Sequence, residues 1–272
     1  MPHETLAILF LLACLAAPFM WAGIALSRSR LSLPQGILWI VALLFVRLLW
    51  RAQLPRRMPA GSEKGAVVIC NHRSSIDPFF LQVCFDRPMH WMVAREYCEH
   101  RLFGWFLRTC EVIPVSRSGS DMAATRSAIR YAERGDLISM FPEGRINMTE
   151  QLLLPVRPGA IMVAIRARAP LLPCYIAGAP FGGTPSSPFF MPARVRLHFG
   201  EAIDLSPYYD RQQSDALVKE LMTRVVKEIA RLAGQDDFEP TFAGRRWKPT
   251  EAEVRADLND RDRRAAAAAA RE

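Results

Sequence analysis

Residues 66–78 read Ala66-Val67-Val68-Ile69-Cys70-Asn71-His72-Arg73-Ser74-Ser75-Ile76-Asp77-Pro78. A short apolar run rich in β-branched residues reads as a strand, and it ends abruptly in polar residues. Asp77 followed by Pro78 reads as a helix start, with the aspartate capping and proline at the first helical position. Strand, polar loop and helix start in immediate succession are the repeating unit of an α/β domain.

The same unit recurs downstream. Strands are expected at 112–115, 137–141, 172–176 and 194–199, each ending in a polar loop or turn. Between the second and third strands, Met122 to Arg134 predicts a helix, with Ser120 or Asp121 able to cap it and Gly135 just past its end. Its alanines and its charged Arg126, Arg130 and Arg134 suit a surface helix lying on a sheet. Residues 214–233 place Leu217, Leu221, Val225, Ile229 and Leu232 on one helical stripe, closed by Gly234. A chain of 272 residues, half of them apolar, buries one substantial core of this kind.

The N-terminal part differs in composition. Thr5 to Leu26 is an uncharged stretch of 22 residues, long enough to cross a hydrocarbon layer of ~30 Å as a helix. A cleaved signal peptide fits less well, because no basic region precedes the stretch and it ends in Ser-Arg-Ser-Arg. Arg28 and Arg30 place the following residues on the cytoplasmic side by the positive-inside rule. A second apolar run, 36–46, is interrupted by Arg47 and Arg51, and it predicts an interfacial or re-entrant helix with Arg and Trp at head-group level. Residues 1–60 hold six arginines against the single acid Glu4, a net +5 of the chain's +8. A basic fringe beside an apolar segment suits anionic lipid head groups and argues against a nucleic-acid partner. The six cysteines are scattered without C-x-x-C or alternating Cys/His spacing, which opposes a metal site or disulfide framework and places the globular part in a reducing compartment. Cys14, Cys70, Cys84 and Cys174 stand in apolar runs and read as buried thiols. Residues 250–272 alternate charges and end in alanines, reading as a solvated helix or tail.

Three strand-end loops carry the candidate chemistry. His72 and Asp77 are five residues apart, a spacing that arises by chance, and a structural histidine beside a helix cap explains it as well as a catalytic pair does. On the catalytic reading, one turn into the helix the carboxylate meets one imidazole nitrogen, fixes its tautomer and leaves the other nitrogen to take a proton from a hydroxyl. Phe141-Pro142-Glu143-Gly144-Arg145-Ile146-Asn147 and Ile113-Pro114-Val115-Ser116-Arg117 stand at the ends of two further strands. Ligands of α/β sheets bind beyond the carboxyl ends of strands, so a base, a carboxylate and a guanidinium there suit an anionic hydroxylated substrate.

Taken in order, Asn-His-x4-Asp, Pro-Val-Ser-Arg, Phe-Pro-Glu-Gly and Leu-Pro-Cys-Tyr-Ile resemble the four motif blocks of the glycerolipid acyltransferase family, across about residues 65 to 205. That family includes bacterial 1-acylglycerol-3-phosphate acyltransferases of the PlsC type and tafazzin. The resemblance implies one α/β domain with a mixed sheet flanked by helices, behind an N-terminal membrane anchor. The corresponding division is 1–60 anchor, 61–240 acyltransferase domain and 241–272 tail. It implies that His72 is the general base and Asp77 its partner. Arg117 and the Glu143-Gly144 loop would hold the phosphate and glycerol end of the acceptor, with Asn71 beside them, and Pro173 would mark the block near the acyl chain. The implied partners are a lysophospholipid acceptor, a donor that is acyl-CoA or acyl carrier protein, and membrane lipids; no cofactor is needed.

The chain departs from the family where acceptor choice is decided. The common block continues Gly-Thr-Arg-Ser, whereas here Arg145, Ile146, Asn147 and Met148 follow Gly144, closer to the tafazzin branch, which exchanges acyl groups among other lysophospholipids. A lysine common downstream is replaced by Arg157, and both arginines still supply positive charge. The expected reaction is acylation of 1-acyl-sn-glycerol-3-phosphate to phosphatidic acid, with acylation of another lysophospholipid as the alternative. A catalytically silent lipid-binding protein is opposed by the intact His72, Asp77 and Glu143. A serine hydrolase is opposed by the missing Gly-x-Ser-x-Gly elbow.

Overall fold

The computed structural model describes residues 3–55, 61–63, 65–101, 103–116, 121–184 and 186–244. Its helices are α1 (His3–Arg28), α2 (Leu33–Leu48), α3 (Asp77–Gln82), α4 (Arg95–Cys98), α5 (Gly104–Thr109), α6 (Met122–Glu133), α7 (Gly159–Arg166) and α8 (Asp215–Leu232). Its strands are β1 (Ala66–Cys70), β2 (Met89–Ala94), β3 (Ile113–Val115), β4 (Leu137–Met140), β5 (Leu171–Ala177) and β6 (Arg196–Phe199). They form one sheet in the order β3-β2-β4-β1-β5-β6, parallel except for the β5–β6 pair. β1 lies at the centre, fully buried on both faces, which explains why it is uniformly apolar instead of alternating.

Its side chains divide between two apolar layers. Val67 and Ile69 face α6, α7 and α8, where Ala124, Ala128 and Ala132 let α6 lie close on the sheet. Val68 and Cys70 face Phe80 and Leu81 of α3 and Val46 of α2. Pro173 lies inside β5 opposite Gly200, just past the end of β6, whose amide donates to its carbonyl, so the proline costs the ladder one bond at the end of the β5–β6 pair. Asp121 caps α6 by accepting from the amides of Ala123 and Ala124, and Ser214 caps α8 through Leu217.

Three features differ from the sequence expectation. β2 and α7 were not anticipated: His90 breaks the apolar pattern of β2, and the eight residues of α7 are too few to show a period. His90 is nevertheless fully buried, hydrogen-bonded through Nδ1 to the Glu111 carbonyl and stacked on Tyr131. The second difference concerns the 36–46 run. It lies within α2, whose 16 residues fall short of the ~20 needed to span a bilayer, and Trp50 just after it is not at a head-group surface but fully buried. Trp50 packs edge-on against Phe80 and donates its indole N–H to the Pro188 carbonyl at 3.0 Å. Residues 49–53 then exchange backbone hydrogen bonds with residues 193–197. Val46, Trp50 and Ala52, which the sequence reading places in the anchor, thus pack on the core of the domain. At the other end Phe242 packs on the core and residues 241 and 243 bond to Val156; of the expected tail, 241–272, residues 245–272 lie outside the described residues. Third, Cys70 and Cys174 are buried as expected, but Cys84 is only partly buried and Cys14 projects from α1. α1 is long and apolar enough to cross a membrane, and its side chains are largely exposed.

Candidate active site

The parallel pairing of β1 with β4 sets Ile69 beside Met140, so the loops that follow both strands emerge together at the carboxyl edge of the sheet. The first loop folds around Asp77. Its Oδ2 accepts from the backbone amides of Arg73 and Ser74 at 2.7 and 2.8 Å and from His72 Nδ1 at 2.9 Å. Asp77 is wholly buried, while the His72 side chain is 17% exposed. Because Nδ1 donates to the carboxylate, Nε2 carries the lone pair, the tautomer required of a base. Phe141 stacks on the imidazole with ring centres 4.1 Å apart, fixing the plane of the ring. Ser74 anchors the loop from the other side through a 2.5 Å bond to the Pro180 carbonyl.

The second loop holds the first by its backbone. Glu143 Oε1 accepts from the His72 amide at 2.7 Å and Oε2 from the Leu154 amide at 2.9 Å. Glu143 is 1% exposed. Burial pushes its carboxyl up to about 7, against the pull of those two amides. The amide of Asn147 donates to the His72 carbonyl at 2.7 Å, and Arg73 Nη1 donates to the Thr149 carbonyl at 2.7 Å. His72 is thus gripped at its amide, its carbonyl and its ring.

Two residues expected to hold substrate, Glu143 and Asn71, are turned inward and bonded to backbone. Both Glu143 oxygens are engaged by backbone amides, which makes its side chain a clamp. Asn71 is 1% exposed and bridges strands, its Nδ2 donating to the Ile176 carbonyl and its Oδ1 accepting from the Ile176 amide. Gly144 is exposed at φ +68°, and a Cβ there would come 3.6 Å from Arg157 Nε, so Arg157 lies against the turn. Arg145 follows in the same loop, partly buried. Arg117 lies outside the described residues; the strand leading to it, β3, is separated from β1 by β2 and β4. Asn147 and Phe141 were quoted in the sequence but given no role, because a backbone amide bond and a ring stack leave no residue-type signature.

Comparison with known proteins agrees with this architecture. The model of the family described as Acyltransferase matches residues 51–177. The chain is 24% identical over 175 residues to 1-acyl-sn-glycerol-3-phosphate acyltransferase of Bacillus subtilis (strain 168), covering 63% of this chain and 83% of that protein. It is also 24% identical over 173 residues to the protein of the same name from Streptococcus pneumoniae, covering 62% of this chain and 61% of that one. The crystal structure of the 1-acyl-sn-glycerophosphate (LPA) acyltransferase PlsC from Thermotoga maritima superposes with a TM-score of 0.52 at 19% identity, over 90% of this chain and 98% of that one. At that identity the superposition speaks for the fold alone. Over residues 51–177 the chain is similar to the acyltransferase family.

Proposed function

We propose that the chain transfers a fatty acyl group from acyl-CoA or acyl carrier protein to the free hydroxyl of a lysophospholipid, 1-acyl-sn-glycerol-3-phosphate in the first instance. His72 Nε2 takes the hydroxyl proton as the oxygen attacks the thioester carbonyl. Asp77 stabilises the imidazolium, the carbon–sulfur bond breaks, and the proton passes to the departing thiolate. No acyl-enzyme forms. The observation that carries this reading is the 2.9 Å contact between His72 Nδ1 and a buried aspartate that three donors hold in place. A positioned base supplies ~10²–10⁴-fold, so alignment of the two substrates supplies much of the rest. Arg145 and Arg157 beside the Gly144 turn are assigned to the acceptor phosphate, with Arg117. α1 anchors the chain, and Arg28 and Arg30 after it set the catalytic domain on the cytoplasmic side.

The test is thiol release from an acyl thioester with and without lysolipid. Release that depends on acceptor and vanishes in His72→Ala supports the reading. Near-normal turnover by a folded His72→Ala, or release indifferent to acceptor, overturns it. The same assay run over lysophosphatidic acid, lysophosphatidylcholine, lysophosphatidylethanolamine and lysocardiolipin decides between phosphatidic acid synthesis and the remodelling alternative that the Arg145-Ile146-Asn147 sequence suggests.

A further inference from the structure

The domain presents exposed aromatic rings on both sides of α2, where a soluble surface would carry polar residues. Trp105 on α5 is 57% exposed and Phe103 just before it 49%. Phe190, at the end of the 3₁₀ turn Ser187–Phe190, is 83% exposed. Leu44 and Leu48 of α2 are 53% and 72% exposed. These elements are tied together from beneath. Gln35 of α2 donates to the Thr109 carbonyl of α5 at 3.0 Å. Phe189, the partly buried neighbour of Phe190, touches Phe45 of α2 and Phe79 of α3, and Phe79 in turn touches Phe106, the neighbour of Trp105. The rings that point outward are therefore mounted on rings that point inward, and Phe79 stands two residues from Asp77. Apolar side chains this exposed and this contiguous mark an interaction surface.

We infer that Trp105 and Phe190, flanking α2, insert into the head-group boundary of a lipid bilayer, setting the catalytic loop at a fixed height on the membrane. The inference rests on the acyl-transfer reading for its purpose, though not for its geometry. Three observations select a lipid surface as the occupant. The patch is continuous through α2 with α1, the helix long enough to enter a bilayer, with Trp21 stacked on Trp39 between them. The rings are aromatic and combined with exposed arginines, Arg47 and Arg51 at one end and Arg101 and Arg108 at the other, the pairing that suits a membrane interface. The nearby acids Glu99 and Glu111 are also exposed, so apolar insertion, and not net charge, has to dominate. Finally, the patch roofs the helix that carries Asp77, where a lipid acceptor would arrive.

The full chain is reconstituted in phosphatidylcholine vesicles containing phosphatidylglycerol and lipids brominated near the carbonyl end of the acyl chain. The expected result is that bromine quenches the part of the fluorescence lost in Trp105→Phe. The double variant Trp105→Ser, Phe190→Ser should acylate a long-chain lysolipid in vesicles about tenfold more slowly than the parent chain. It should acylate a short-chain, water-soluble lysolipid at the parent rate, which also reports an intact fold. Absence of quenching, or equal loss on both acceptors, overturns the inference. So does loss of quenching together with a two-chain mass that the substitutions return to one chain, since a second copy then covers the face. Failure of the parent chain to acylate any acceptor, with quenching intact, counts against the acyl-transfer reading alone and leaves the membrane contact standing.

Discussion

His72 acts through what holds it, and each holder has its own signature. Asp77→Asn keeps the shape and an oxygen for the three donors but removes the negative charge that stabilises the imidazolium, so kcat should fall by ~10²–10⁴ with the fold retained by circular dichroism. Glu143 gives a different profile. Its anion accepts two amide bonds, whereas its neutral form places an O–H against one of them, so turnover should fall as pH drops through about 7. Stability moves the other way. A carboxyl raised from its usual range by burial binds its proton more tightly in the folded state, so its contribution is full below pH ~4.5 and disappears as pH rises through about 7. The difference is about 3 kcal/mol between those limits. Glu143→Gln should abolish that slope in pH-dependent thermal melts while losing activity, because its NH₂ meets a donor. Parallel melts for both proteins would count against the clamp.

Among the elements, α2 with Trp50 shows how an apolar run is recruited into a core. Trp50 lies against Phe80 and Phe189, so truncation opens a cavity beside α3 and removes the partner of the Pro188 carbonyl. Trp50→Ala should cost about 3–5 kcal/mol in denaturant unfolding and lower activity through displacement of α3. α6 offers a milder case. Asp121 caps it with two amide bonds and also accepts from the Ser116 amide, the residue that precedes the Arg117 loop. Asp121→Ala should cost about 1 kcal/mol. It should also raise KM for an anionic acceptor more than it lowers kcat, if Arg117 serves that acceptor. Equal effects on both constants would detach α6 from the site.

At the scale of the whole molecule, the sheet order explains why residues seventy positions apart share a site. β1 and β4 are neighbours, and their loops are joined by two bonds to the His72 backbone, two from Arg73, and the Phe141 stack. α1 stands largely apart: most of its described side chains are exposed, and near its end it meets α2 through the Trp21–Trp39 stack and Leu26 against Gly36. Removing residues 1–28 should therefore leave a cooperatively folding domain that retains turnover on a water-soluble acceptor and loses most turnover on vesicle-borne lysolipid. Loss of cooperative melting in that truncation would show α1 to be part of the fold.

Strands β1, β3, β4, β5 and β6, helices α6 and α8, the Asp121 cap of α6 and the candidate pair at 72 and 77 were legible from residues alone, because each rests on local periodicity, caps and turn chemistry. Other features depended on contacts between distant segments. The buried setting of Trp50, the strand around His90, and the inward, backbone-bonded placement of Asn71 and Glu143 were decided by partners roughly 20 to 140 positions away. A side chain's hydrogen-bonding capacity is written in its type. Whether a backbone amide or a substrate uses that capacity is set by which loops the sheet brings side by side.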